Sequence, residues 1–114
     1  MTAPAPRLLD DEELQRQLAD LPGVTPCADG SIAVTLRAPT FPEAIRLVQL
    51  VADDAEQRDH HPAIDVRWRT VTFGLVTHSA GGVTQLDIEL AHVILELARQ
   101  VDAETVPPAT GSGT

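Results

Sequence analysis

Apolar residues recur along this chain with two different periods. Phe41, Ala44, Ile45, Val48, Val51, Ala52 and Ala55 follow at steps of three and four, the spacing that gathers side chains on one face of an α-helix. Thr40 and Glu43 stand at capping-box spacing before that stripe, and Pro42 fits a first helical turn. Arg58, Asp59, His60 and His61 bring the helix to its end, because Pro62 pushes His61 out of the helical region. A later stripe runs through Leu86, Leu90, Val93, Leu97 and Val101, widened by Ile94 and Ala98, with Thr84 as cap and Asp87 three residues on. A shorter one lies in Asp10–Leu21, where Leu14, Leu18 and Leu21 share a face and Pro22-Gly23 is the stop.

Between these stripes the period falls to two. Ile32, Val34 and Leu36 alternate with polar residues in Ser31–Arg37, a half-buried strand, and Ala28-Asp29-Gly30 before it has turn chemistry. Gly23–Cys27 is a weaker strand candidate, interrupted by Pro26. Ile64, Val66 and Trp68 form one apolar alternation and Val71, Phe73 and Leu75 another, out of phase by one residue. A tight turn or a bulge near Arg69-Thr70 is therefore required. The order α-β-β-α-β-β-α predicts an α+β fold: a four-stranded antiparallel sheet with three helices packed on one face.

Length and composition narrow this further. A chain of 114 residues, 43% of them hydrophobic, has material for one core. Residues 8–103 are expected to form that single domain. Residues 1–7 are expected to be a flexible N-terminus and 104–114 a disordered tail, since Pro, Ala, Gly, Ser and Thr bury too little to offset ordering. The formal net charge is −9 and there is no Lys, which argues against nucleic acid and against anionic membranes as partners. The single cysteine, Cys27, excludes an internal disulfide and a thiolate metal cage. No apolar run approaches the ~20 residues that span a bilayer, and the first residues lack a basic and an apolar region of a leader, so a cytoplasmic protein is expected.

The candidate chemistry lies in histidines. His60-His61 falls where a helix meets a strand, and His78 follows the strand through Val71–Thr77. Strand ends and connections are where a sheet presents reactive groups, and imidazole gives and takes protons near neutrality. An acid/base pocket, a chance grouping and a metal site are all consistent with the residue types. Adjacent histidines on an extended backbone point to opposite sides, so they chelate less naturally than an i, i+4 pair on a helix, and no metal is expected. His92, beside the last stripe, reads as ordinary. Asp87 has two readings, a cap that accepts backbone N–H groups and a catalytic carboxylate. Trp68 on an apolar strand face reads as core before it reads as a ring-stacking platform.

Glu56, three residues, His60-His61-Pro62, five residues, Trp68, nine residues, His78, eight residues and Asp87 together resemble the signature of the pterin-4a-carbinolamine dehydratase family. The resemblance covers about Phe41 to Ile94. It implies dehydration of 4a-hydroxytetrahydrobiopterin to quinonoid dihydrobiopterin, in tetrahydrobiopterin recycling, by a hydro-lyase that needs no metal or organic cofactor and associates as a homodimer or homotetramer. Carried over by position, it implies that His60 and His78 are the acid/base residues and that His61 holds and orients the pterin. The pocket would be lined by His60, His61, Pro62, Thr77, His78, Ser79 and Ala80, with Glu56, Trp68 and Asp87 in support. Val24 stands where the family commonly has Trp, and Ala63 and Ile64 where it has Glu and an aromatic, which bears on substrate preference. The alternative is a non-catalytic oligomeric scaffold or dimerisation partner on the same fold, with the last helix as the expected interface. Retention of all three histidines argues against it.

Overall fold

The computed structural model describes residues 6–107, and the outer parts of both expected loose ends fall outside them. Three helices, α1 (Asp11–Leu18), α2 (Phe41–Arg58) and α3 (Gln85–Gln100), are interleaved with five strands. These are β1 (Thr25–Pro26), β2 (Ile32–Arg37), β3 (Ala63–Arg67), β4 (Thr70–Leu75) and β5 (Glu104–Thr105). The α+β order is as expected, but the sheet has five strands, not four. Glu104 and Thr105, assigned to the tail from composition, pair antiparallel with Arg37 and Leu36. A two-residue strand carries no periodicity, so only its partner could reveal it.

The sheet is antiparallel in the order β1-β2-β4-β3, with β5 sharing the β1 side of β2. Its centre is the β2–β4 pair, whose register sets Ile32 opposite Leu75, Val34 opposite Phe73 and Leu36 opposite Val71. All six are buried, and α2 and α3 cover that face. On the other face Thr35 and Thr72 share a hydroxyl hydrogen bond of 2.9 Å. Leu14 and Leu18 of α1 pack on the same core, and α1 stops at Leu18, short of Leu21.

The phase offset between β3 and β4 resolves as a two-residue hairpin. Arg67 pairs with Thr70, so Ile64 faces Phe73 and Val66 faces Val71 across the ladder. Even positions meet odd ones, as a two-residue loop requires. Trp68 thereby leaves the strand. It occupies the turn at φ +55°, 72% exposed, with the Arg69 guanidinium 5.0 Å from its ring centre, and is neither core nor strand face. Because β3 is the outermost strand, Ile64 and Val66 remain partly exposed although they share the buried side of Phe73.

The α2 stripe is also rotated from the expected one. Ala44, Leu47, Val51 and Ala55 are buried, while Phe41 and Ile45 reach solvent. In α3 the buried line runs through Ile88, Leu90, Ala91, Ile94 and Ala98, so the residues read as widening the stripe lie at its centre.

Candidate active site

The candidate site forms where three chain segments meet at one end of the sheet. β3 and β4 are antiparallel, so the residues entering β3 and those leaving β4 lie side by side. The first group is His60, His61 and Pro62. The second is Val76, Thr77 and His78. A Thr77–Gly82 bridge folds the chain back, and Thr84 then opens α3 beneath them.

Local structure fixes each piece. Helix α2 ends at Arg58 with Asp59 in the left-handed region at φ 52°; the Asp59 N–H donates to the Glu56 carbonyl and the His60 N–H to the Ala55 carbonyl. This Schellman-type closure satisfies last-turn carbonyls and turns His60 inward. The helix stops at Arg58, four residues before Pro62, through its own cap. His78 begins a 3₁₀ turn, His78–Ala80, closed by Gly81 at φ 78°. Strand β4 ends at Leu75, earlier than the alternation through Thr77 suggests, because Thr77 turns to bond with Gly82.

His60 and His61 diverge as an extended backbone dictates. The His60 ring is 12% exposed and its Nε2 lies 2.6 Å from Asp87 Oδ1. Asp87 is fully buried. Its Oδ2 accepts the Thr84 N–H at 2.9 Å and the Thr77 hydroxyl at 2.7 Å. Asp87 completes the capping box of α3 and, with its other oxygen, meets an imidazole. The His61 ring is 59% exposed and meets Glu56 Oε1 at 2.8 Å, in a solvated pair.

His60, His61 and His78 border one cavity of about 300 Å³, together with Pro6, Asp59, Val76, Thr77, Ser79 and Leu86. Of the residues expected to line it, Pro62 and Ala80 do not. Pro62 directs the chain into β3, and Ala80 closes the 3₁₀ turn by donating its N–H to Thr77. Glu56 reaches the cavity only through His61. Trp68 stands at the far end of the β3–β4 hairpin and takes no part. Sequence reasoning missed Asp59, Val76, Leu86 and Pro6. Leu86 belonged to an apolar stripe by spacing, and its exposure at the cavity was invisible to periodicity. Among the described residues no three His, Cys, Asp or Glu side chains converge as a metal-binding group, and no helix is long and apolar enough to cross a membrane.

A buried carboxylate behind one imidazole, with a second imidazole across a solvent-reached cavity, is an arrangement for moving protons at a bound molecule. Comparison with known proteins gives the same direction. The sequence pattern of the family described as pterin 4 alpha carbinolamine dehydratase matches residues 7–97. The chain belongs to this family. A relative from Nocardia farcinica, provisionally named pterin-4-alpha-carbinolamine dehydratase, is 56% identical over 92 residues, covering 81% of this chain and 96% of its own. One of the same provisional name from Mycobacterium avium is 49% identical over 87 residues, covering 76% and 92%. Among solved structures, a transcriptional coactivator/pterin dehydratase from Brucella melitensis superposes with a TM-score of 0.77 at 31% identity, covering 79% of this chain and 97% of its own. The match reaches from Arg7, which ion-pairs with Glu13, through most of α3, and so includes every residue around the cavity except Pro6.

Proposed function

We propose that this protein is a pterin-4a-carbinolamine dehydratase acting in the cytoplasm on 4a-hydroxytetrahydrobiopterin, releasing water and quinonoid dihydrobiopterin and so serving tetrahydrobiopterin recycling. The observation that carries the reading is the placement of His60 and His78 on one cavity, with Asp87 behind His60. Dehydration needs a proton delivered to the C4a hydroxyl and a proton taken from N5. Two imidazoles from different segments can address the two atoms, each contributing a factor of ~10²–10⁴. His61, solvated and borne by the rigid approach to Pro62, is assigned to hold the pterin ring. No metal or organic cofactor enters the steps.

The test is the decay rate of enzymatically generated 4a-hydroxytetrahydrobiopterin with wild type and with a His60→Ala/His78→Ala variant. Acceleration by wild type, lost by about 10² or more in the variant, is expected. No acceleration by folded wild type overturns the reading.

The similarity to the Brucella melitensis transcriptional coactivator/pterin dehydratase favours one second reading, a binding role of the same fold toward another protein. It fits an assembly function alongside the chemistry. We further propose a homodimer or homotetramer. Apart from Leu8, the large exposed apolar side chains among the described residues lie on Phe41 and Ile45 of α2 and on Ile64, Val66 and Trp68 of the β3 hairpin, whereas in α3 only Leu86, at the cavity, is among them. The unpaired β3 edge, not the last helix, is the favoured contact.

A further inference from the structure

We propose that the buried hydroxyls of Thr77 and Thr84 are positioning residues that hold His60 as its Nε2–H tautomer, making His60 the base that takes the N5 proton and His78 the acid that protonates the leaving hydroxyl. The catalytic half of this inference rests on the dehydratase reading above. The tautomer half does not.

Thr77 is 4% exposed, and Thr84 and Asp87 are fully buried. Three polar side chains in an apolar core are tolerated only when every donor and acceptor finds a partner. Here the hydrogens can be counted. Thr77 has one hydroxyl proton, and it goes to Asp87 Oδ2 at 2.7 Å. The 2.8 Å contact between the two threonine hydroxyls must then be donated by Thr84. Thr84 oxygen in turn accepts the Leu86 N–H at 3.2 Å. The chain runs one way only: Leu86 N–H to Thr84, Thr84 to Thr77, Thr77 to Asp87. A second donor, the Thr84 N–H, fills the same carboxylate oxygen at 2.9 Å.

Asp87 is thus addressed by donors on Oδ2 and can only accept on Oδ1, where His60 Nε2 lies at 2.6 Å. Hydrogen bonds to a carboxylate are strongest when it is ionised, so the shared proton belongs on Nε2. In a neutral imidazole the other nitrogen carries the lone pair. His60 borders the cavity, and its Nδ1 makes no hydrogen bond among the described residues, leaving that lone pair for a bound molecule. A buried carboxylate that fixes a tautomer also stabilises the imidazolium formed when the base takes its proton. Among the described residues His78 has no such carboxylate. It stands exposed on its 3₁₀ turn, where exchange with solvent can supply the proton it gives away.

The step balances. Nδ1 of neutral His60 takes the N5 proton, the N5–H electron pair forms the C4a=N5 bond, and the C4a–O bond breaks. The oxygen leaves with its bonding pair and takes a proton from the His78 imidazolium, departing as water. His60 then returns one proton to solvent and His78 recovers one. No oxidant or reductant is involved. Thr77 borders the cavity, but its hydroxyl is engaged by Asp87 and Thr84, so it acts through Asp87 and His60 and is no catalytic residue.

The test uses the full chain with ¹⁵N-labelled histidine and reads the His60 ring by long-range ¹H–¹⁵N correlation at neutral pH, beside carbinolamine kinetics. Wild type is expected to show Nε2–H at His60. Thr77→Val, nearly isosteric but without the hydroxyl, is expected to show a mixture of tautomers. It should also lose roughly 10–100-fold in kcat, with KM within about twofold. Thr77→Ser is expected to restore both readouts. If Thr77→Val fails to fold, Asp87→Asn serves: its amide offers N–H groups to His60 and should move the ring to Nδ1–H. A wild-type ring already in the Nδ1–H form overturns the inference. So does a folded Thr77→Val protein with unchanged tautomer and kcat, which leaves Thr77 a packing residue. A tautomer that responds as expected in a chain with no dehydratase activity upholds the positioning and overturns the dehydratase reading instead.

Discussion

His60 and His61 are adjacent, yet one ring rests on a buried carboxylate and the other on an exposed one. The difference sets what each partner is worth. The His61–Glu56 pair is solvated on both sides, so Glu56→Gln is expected to change stability by no more than about 0.5 kcal/mol in urea denaturation. Asp87→Ala leaves the Thr84 N–H, the Thr77 hydroxyl and His60 Nε2 without their acceptor, and is expected to destabilise by roughly 1–3 kcal/mol or more in the same measurement. At this scale the sequence was partly legible. Cap spacing identified Thr84 and Asp87, and the extended His-His-Pro run foretold that the two rings would part. That the carboxylate of Asp87 would meet His60, 27 positions earlier, depended on how α3 docks under the β3–β4 end.

Among the elements, β5 is the one periodicity could not find, and its docking leaves a mark on the backbone. Gly23 has φ +89°, and a Cβ there would lie 2.7 Å from Thr105 Cβ. Gly30 has the same φ with open space around it. Gly30→Ala is therefore expected to cost about 1 kcal/mol for the left-handed backbone alone, and Gly23→Ala clearly more; thermal unfolding of the pair reads the β5 contact by difference. Helix α1 carries its own titratable latch. Glu13 is held to about 2, first by its hydrogen bonds to Arg7 and then by the Asp10 N–H. A depressed carboxylate contributes stability that is complete above its unfolded value of 4.5 and is lost as pH falls toward about 2. The Arg7–Glu13 contact precedes Leu8, which bridges to Thr84, and Leu9, which bonds Val83. Arg7→Gln is expected to raise the Glu13 midpoint toward 4.5 in a ¹³C carboxyl titration and so to start the acid loss at higher pH. An unchanged midpoint would show that the helix cap alone sets it.

At the scale of the whole molecule, β3 is a sheet edge unpaired among the described residues, with apolar side chains on it. Every residue of β3 is exposed, Ile64 and Val66 included although they share the side of Phe73 and Val71. An unpaired strand of this kind invites a second copy. Val66→Lys, on the edge and away from the cavity, is expected to reduce an assembly toward the 12.2 kDa monomer in analytical ultracentrifugation. An assembly unchanged by the lysine would move the contact off β3.

The sequence by itself determined the element order, the caps of α2 and α3, the central strands and the group of histidines around Pro62. Each is written in local spacing: 3.6-residue and two-residue periods, cap residues and turn formers act over a few positions. Tertiary structure decided the rest. It rotated the α2 and α3 stripes, because a helix with apolar residues on several sides buries whichever face its neighbours meet. It placed Trp68 in a turn, since the β3–β4 register leaves only Trp68 and Arg69 to connect the strands. It drew Glu104 and Thr105 into the sheet by giving them an edge of β2 to pair with. Above all it brought His60, Thr77 and Asp87 within hydrogen-bond reach, a meeting that long-range packing creates and no local pattern encodes.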